Sequence, residues 1–137
     1  MITPQQALIY TMVMVSGADR DMTDAELKQI GRMVKSLPVF AAYKADQLPD
    51  TARECAVILH AKNGLAHCLD QVAKSLSPRL RETAYLLACE MSAIDGTVHA
   101  EEAGILRMLR RALHIDDLAA AALERATSAR LAPDPAG

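Results

Sequence analysis

The stretch "SAIDGTVHAEEAGILRML", residues 92–109, decides the fold because it joins two helical patterns through one polar corner. An apolar run stops at Asp95-Gly96, a pair that is typical of a helix end with a residue at positive φ. Glu102 then opens a new apolar pattern, where its charge favours the positive N-terminus of a helix. The stretch therefore predicts a helix–turn–helix corner.

The same corner occurs earlier in the chain, in "SGADRDMTDAELKQIGRMVKSL", residues 16–37. A shift of 76 residues aligns Asp19 with Asp95 and Glu26 with Glu102. In both copies a nearly uncharged helical segment precedes the aspartate, and an amphipathic segment follows the glutamate. Two copies in 137 residues predict two pseudo-symmetric halves rather than a solenoid, which needs more units.

Composition and capping signals predict helices along almost the whole chain. Hydrophobic residues make up 51% and aromatic residues only 3%, which favours helices built from Leu, Ala and Met over strands. The predicted helices are 3–18, 23–37, 50–62, 65–76, 78–94, 100–113 and 116–131. The second has an apolar core stripe, formed by Leu27, Ile30, Val34 and Leu37. We expect one all-α domain of about seven helices over residues 3–131 and a disordered tail over residues 132–137.

The first helix and the end of the fifth should be the buried centre of this domain. Residues 3–18 carry no charge, and Ala84–Ile94 carries one, at Glu90. A helix that is apolar nearly all round is normally a central one. We expect Glu90 to face solvent; the alternative is a partly buried carboxylate that joins the acidic corner.

Charge and hydropathy exclude several classes of partner. A net charge of −2 argues against nucleic-acid binding, which normally uses a basic surface. The apolar N-terminal segment is too short and too polar to span a membrane, and it lacks the basic start of a signal peptide. Three cysteines in apolar contexts fit buried thiols in a reducing compartment. We therefore expect a cytoplasmic protein.

The acidic corners have a structural and a functional interpretation. Thr23-x-x-Glu26 matches a capping box and needs no ligand. Asp95, however, lies at a helix end, where the macrodipole disfavours negative charge. Carboxylates that converge from two related corners would repel each other unless a proton or a divalent cation bridged them. An EF-hand is rejected, because Asp24 stands where glycine is required and Ile30 where glutamate is required.

Two other groups of residues are candidate sites. Cys55, His60, His67 and Cys68 match no common zinc spacing, so buried cysteines and surface histidines are the favoured interpretation. A basic patch on the sixth helix is predicted to be a solvated face, with an anion or acidic-partner site as the alternative. It is formed by Arg107, Arg110 and Arg111.

The segments "GADRDMTDAELKQIGRMV" and "AIDGTVHAEEAGILRML" resemble the repeated corner of the TerB-like family. That family includes bacterial tellurite-resistance proteins and the N-terminal domain of a membrane-anchored DnaJ-type co-chaperone. The resemblance spans about residues 4–131 and implies an all-α fold of about seven helices with a divalent cation. The implied ligands are Asp19, Glu26, Asp95 and Glu102, and Glu90 is a possible addition. Arg20 replaces the glycine of the first motif; in one interpretation it points to solvent, and in the other it pairs with Asp21 or Asp24 and weakens that site.

These observations predict a non-enzymatic, divalent-cation-binding helical module of the stress-response type. A protein-interaction domain whose acidic corners only cap helices is the alternative. A carboxylate-metal hydrolase ranks last, because no histidine base or nucleophile accompanies the acids. We expect a protein partner, with a homodimer as one option.

Overall fold

A computed structural model describes residues 1–17, 22–93 and 100–135, and for residues 100–102 it describes the backbone alone. These ranges contain seven α-helices and no strand. The helices are α1 (Pro4–Gly17), α2 (Asp24–Ser36), α3 (Leu48–His60), α4 (Gly64–Ser75), α5 (Pro78–Ser92), α6 (Ala100–Ala112) and α7 (Asp117–Arg130). Two short 3₁₀ turns, Pro38–Phe40 and Ala45–Gln47, join α2 to α3. The predicted all-α fold is confirmed.

The helix bounds agree with the repeat in the sequence. A shift of 76 residues places the first and last residues of α2 on those of α6. The same shift places α1 on α5 to within two residues at either end. The paired helices α1–α2 and α5–α6 are therefore the two halves that the sequence predicts.

The core of the fold lies around α1. Thr3 and Gln6 begin this helix with a capping box: the Gln6 amide donates to Thr3 Oγ1 at 3.1 Å, and the Thr3 amide donates to Gln6 Oε1 at 2.9 Å. Residues 7–16 are all buried, because α5 covers one side of α1 while α3 and α4 cover others. Residues 87–92 of α5 are buried as well. Both predicted central helices are confirmed.

The buried face of α2 differs from the predicted stripe at one position. Ile30 and Val34 are buried, whereas Leu27 is 36% exposed and lies outside the core. Glu26 and Met33 take the buried places instead. The prediction for Leu27 was wrong because the capped first turn of α2 directs Glu26 inward, and the neighbouring position is then about 100° away around the helix.

The turn between α3 and α4 is tight. Asn63 adopts the left-handed conformation with φ 56°, as its position before glycine predicts. A Cβ atom on Gly64 would stand 2.1 Å from the carbonyl oxygen of Ile58, so only glycine fits there. Helix α3 begins at Leu48 rather than at residue 50, since Pro49 is tolerated in a first turn. The turn fixes α3 and α4 as a helical hairpin beneath α1.

Candidate functional site

The first acidic corner is anchored by a capping box at the start of α2. The Glu26 amide donates to Thr23 Oγ1 at 3.1 Å, and the Thr23 amide donates to Glu26 Oε1 at 2.8 Å. This reciprocal pair satisfies two amides that helical hydrogen bonds leave open. Glu26 is only 7% exposed. The capping role predicted for Glu26 is confirmed, and it holds the carboxylate in a fixed, buried place.

The end of α1 contributes a buried hydroxyl to the same corner. Ser16 Oγ is buried and has no hydrogen-bond partner among the described residues. Gly17, at the end of α1, and Met22, just before α2, lie close together, since a Cβ atom on Gly17 would stand 3.7 Å from the Met22 nitrogen. A buried polar group without a partner is uncommon in folded proteins and calls for an explanation, such as a bound water or ion. Ser16 and Glu26 thus flank one corner.

Glu90 takes part in an ion pair between α5 and α7. It is 8% exposed, and its Oε1 accepts a hydrogen bond from Arg130 Nε. The expectation that Glu90 faces solvent was therefore wrong. The reason is that α7 packs over this part of α5 and supplies the cation that makes burial of the carboxylate tolerable.

A second polar contact joins the same two helices. The Tyr85 hydroxyl donates to Glu124 Oε2 at 2.6 Å. Burial raises the pKa of Tyr85, and the hydrogen bond to the Glu124 carboxylate raises it further. The two pairs, Tyr85–Glu124 and Glu90–Arg130, are named the α5–α7 seam below.

Three of the five residues predicted as cation ligands have no described side chain. Asp19 and Asp95 lie outside the described residues, and Glu102 is described only as backbone in the first turn of α6. Within the part of the chain that is described, there is no group of three or more His, Cys, Asp and Glu side chains suited to a metal ion. The convergence of the two corners stays a prediction.

The four residues of the candidate zinc site lie in two different environments. Cys55 and Cys68 are buried, and their sulfur atoms lie 3.5 Å apart. His60 and His67 are exposed, so they do not join the cysteines. Sequence reasoning missed the contact between the two cysteines. The signal was available, because the Asn63-Gly64 turn folds the segments that carry them against each other.

The basic patch on α6 borders an open cavity of about 510 Å³. Arg107 and Arg111 are exposed there, as predicted for a solvated face. Arg110 Nη2 forms an ion pair with Asp117 Oδ1 at the start of α7. The pair ties the two helices together across the connection at residues 113–116 and compensates one of the three cations.

Among the helices of residues 1–17, 22–93 and 100–135, none combines the length and the apolar character needed to cross a membrane.

The fold and the repeat in the sequence define a class: a small all-α protein in which two helix pairs, α1–α2 and α5–α6, repeat at one offset and contain the central apolar helices. Residues 5–125 match the family model described as "Tellurite resistance protein TerB". Because the match covers most of the chain, the protein belongs to the TerB family, which confirms the resemblance seen in the two motifs. No curated protein and no solved structure matches the chain. The family makes it a helical module of the tellurite-resistance type.

Proposed function

We propose that this protein is a non-enzymatic module that binds a divalent cation at its acidic corners, as part of a cytoplasmic stress response. The observation that carries the proposal is the buried Ser16 hydroxyl without a partner, at the corner where Glu26 is also buried. Hydroxyl and carboxylate oxygens are the ligands that hard divalent cations prefer. Asp19 and Glu26 would serve the first corner, and Asp95 and Glu102 the second.

The capping box supports this assignment rather than competing with it. It holds Glu26 in one buried conformation, so a cation would not have to order a mobile side chain. A divalent cation shared with the neighbouring aspartate would therefore meet a carboxylate that the fold already holds in place.

Glu90 receives a different role in the proposal. Arg130 already compensates its charge, and a cation at the same oxygen would compete with that guanidinium. We therefore assign the cation to the four corner residues and leave Glu90 to the α5–α7 seam.

Glu26→Gln is the sharpest test of the first corner. Glutamine can replace glutamate in a capping box, so the variant should fold with nearly unchanged stability in the absence of cations. Adding Ca²⁺, Mg²⁺, Mn²⁺ or Zn²⁺ one at a time should raise the melting temperature of the wild type, because a ligand bound only to the native state stabilises it. The variant should show a smaller rise, or none. Thermal unfolding with and without each ion measures both effects.

Two further variants complete the experiment. Glu82→Gln makes the same chemical change at an exposed position of α5 and should keep the full rise in melting temperature. Glu102→Gln tests the second corner in the same way. A wild-type melting temperature that no ion changes would refute cation binding. The protein-interaction alternative, in which the corners only cap helices, would then remain.

That alternative rests on a separate observation. Large apolar side chains are exposed on several helices, and they include Val57, Met108 and Leu118. Single exposed apolar residues are common, so they indicate a partner surface only if binding depends on them. Replacing Leu118, which is 82% exposed, with serine should then abolish capture of a partner without lowering the melting temperature.

A further inference from the structure

Two buried thiols lie in contact between α3 and α4. Cys55 Sγ and Cys68 Sγ are 3.5 Å apart, and both residues are fully buried as free cysteines. Cys55 Sγ also lies 3.8 Å from the carbonyl oxygen of Tyr10 on α1. The pair therefore stands where three helices meet.

The surrounding structure holds the two sulfur atoms at this distance. In the turn at Asn63 and Gly64, only a glycine fits at position 64. This tight turn holds α3 and α4 next to each other. Helix α1 covers the hairpin from one side. A disulfide bond is about 2 Å long, so the sulfur atoms would have to approach by only about 1.5 Å to form one.

We propose that Cys55 and Cys68 are a site of reversible oxidative modification, at which a peroxide converts the two thiols into a disulfide that joins α3 to α4. The site shares no residue with the acidic corners, so this proposal stands independently of cation binding.

The reaction balances with one molecule of hydrogen peroxide. The Cys68 thiolate attacks one peroxide oxygen, the O–O bond breaks, and hydroxide leaves, which gives a sulfenic acid on Cys68. The Cys55 sulfur then attacks the Cys68 sulfur, the S–O bond breaks, and a second hydroxide leaves. The protons of the two thiols convert both hydroxides to water. The thiols lose two electrons in all, and the peroxide gains them.

The contact also decides which thiol reacts first. The hydrogen bond that Cys55 can donate to the Cys68 thiolate lowers the pKa of Cys68, although burial opposes this effect. The same contact raises the pKa of Cys55, and burial raises it further. Cys68 is thus the attacking thiolate, and Cys55 is the neighbour that resolves the sulfenic acid before a second peroxide reaches it.

Burial makes the reaction slow rather than forbidden. Buried thiols react only when the protein opens locally, so the rate should follow the opening of the α3–α4 hairpin. Cys89 on α5 serves as an internal comparison. It is also buried, and burial raises its pKa to about 12, so it should stay reduced under the same treatment.

The test is to expose the folded wild-type protein to hydrogen peroxide, block the remaining thiols by alkylation, and map the peptides without reductant. Trypsin places the three cysteines in different peptides: residues 54–62, 63–74 and 82–107. The expected result is a cross-link between peptides 54–62 and 63–74. Its mass is the sum of the two peptides less two hydrogen atoms, and a thiol reductant separates it into the two peptides again. The melting temperature of the oxidised protein should rise by roughly 5–10 °C and return to its starting value on reduction.

Variants separate the disulfide from other effects of oxidation. Cys89→Ala should keep both the cross-link and the rise in melting temperature. Cys55→Ala and Cys68→Ala should lose both, and the remaining thiol should be recovered unchanged or as sulfinic acid. The proposal is overturned if the wild-type protein, still folded after treatment, yields the two peptides unlinked or linked to Cys89. That result on wild-type protein stands even if an alanine variant does not fold.

Discussion

The two halves of the molecule share a template but differ in polarity. Helices α1–α2 and α5–α6 align in sequence at one offset, and the C-terminal part of the first helix in each half is buried. The central helix of the first half, α1, carries no charge and packs against α3, α4 and α5. The second half contains the α5–α7 seam. The difference teaches that the neighbour which covers a central helix decides how much polarity that helix can bury.

The difference in polarity between the halves is clearest at one pair of equivalent positions. Met14 of α1 corresponds to Glu90 of α5, and both are buried. Glu90 is tolerated because α7 brings Arg130 to it. A second pair differs in the opposite sense: Ser92 Oγ donates to the Cys89 carbonyl oxygen at 2.9 Å, whereas its counterpart Ser16 is the unsatisfied hydroxyl of the first corner.

Met14→Glu should break the comparison with the largest effect. It places the carboxylate of the second half in the first half, at a fully buried position of a helix without charged residues of its own. An uncompensated buried charge should lower the free energy of unfolding by about 3–5 kcal/mol. Urea denaturation measures the loss, and the change should be smaller at low pH, where the carboxyl group is neutral.

The reciprocal variant, Glu90→Met, is the matched control. It gives the second half the residue of the first, and Arg130, whose side chain is 64% exposed, stays solvated. The free energy of unfolding should change by less than about 1 kcal/mol, since no buried charge is left alone. Equal losses in the two variants would contradict the view that the covering helix sets the tolerated polarity.

Tyr85→Phe should have an intermediate effect, because it removes one contact of the α5–α7 seam. The lost hydrogen bond to the Glu124 carboxylate should cost about 1.5 kcal/mol at pH 7. Tyr43→Phe, which loses a hydrogen bond of 2.7 Å to the neutral Thr51 hydroxyl, should cost about 1 kcal/mol. The denaturation midpoints of the two variants, compared with that of the wild type, measure both losses.

The pH dependence of the same variant gives a second readout. Burial and Glu124 raise the pKa of Tyr85 in the folded protein above its ordinary value of 10.0. Its contribution to stability is complete below that value and is lost as pH rises, because the unfolded chain releases the proton first. Tyr85→Phe should therefore lose less stability than the wild type between pH 10 and the folded pKa. Both proteins still lose some stability at alkaline pH, because burial raises the pKa of Tyr10 to about 12 in each of them. Parallel curves would argue against a raised pKa of Tyr85 in the folded protein.

The sequence predicted the architecture because local signals control it. Capping residues, prolines and the apolar pattern defined the helices, and the repeat defined the halves. Leu27 and Glu90 were mispredicted for different reasons. The capped first turn of α2 directs Glu26 inward in place of Leu27, whereas Glu90 is covered by α7 and pairs with Arg130, which lies 40 residues further along the chain. No local pattern reports such a distant partner. The Cys55–Cys68 contact, by contrast, follows from the Asn63-Gly64 turn, which the sequence does indicate.

The smallest expected effect concerns the caps of the two corners. Thr23→Ala removes the side chain that accepts from the Glu26 amide and should cost about 1 kcal/mol. His99 occupies the equivalent sequence position in the second half, where it is a poor capping residue, and it lies outside the described residues. If the second corner is built like the first, His99→Thr should raise the free energy of unfolding by about 0.5–1 kcal/mol, because Glu102 follows it at the spacing of a capping-box glutamate. Glu102→Gln should leave that gain intact, since glutamine serves the box as well. A neutral or destabilising His99→Thr would mean that the second corner does not begin its helix as the first does, and the four corner carboxylates would then lose the symmetry on which their convergence depends.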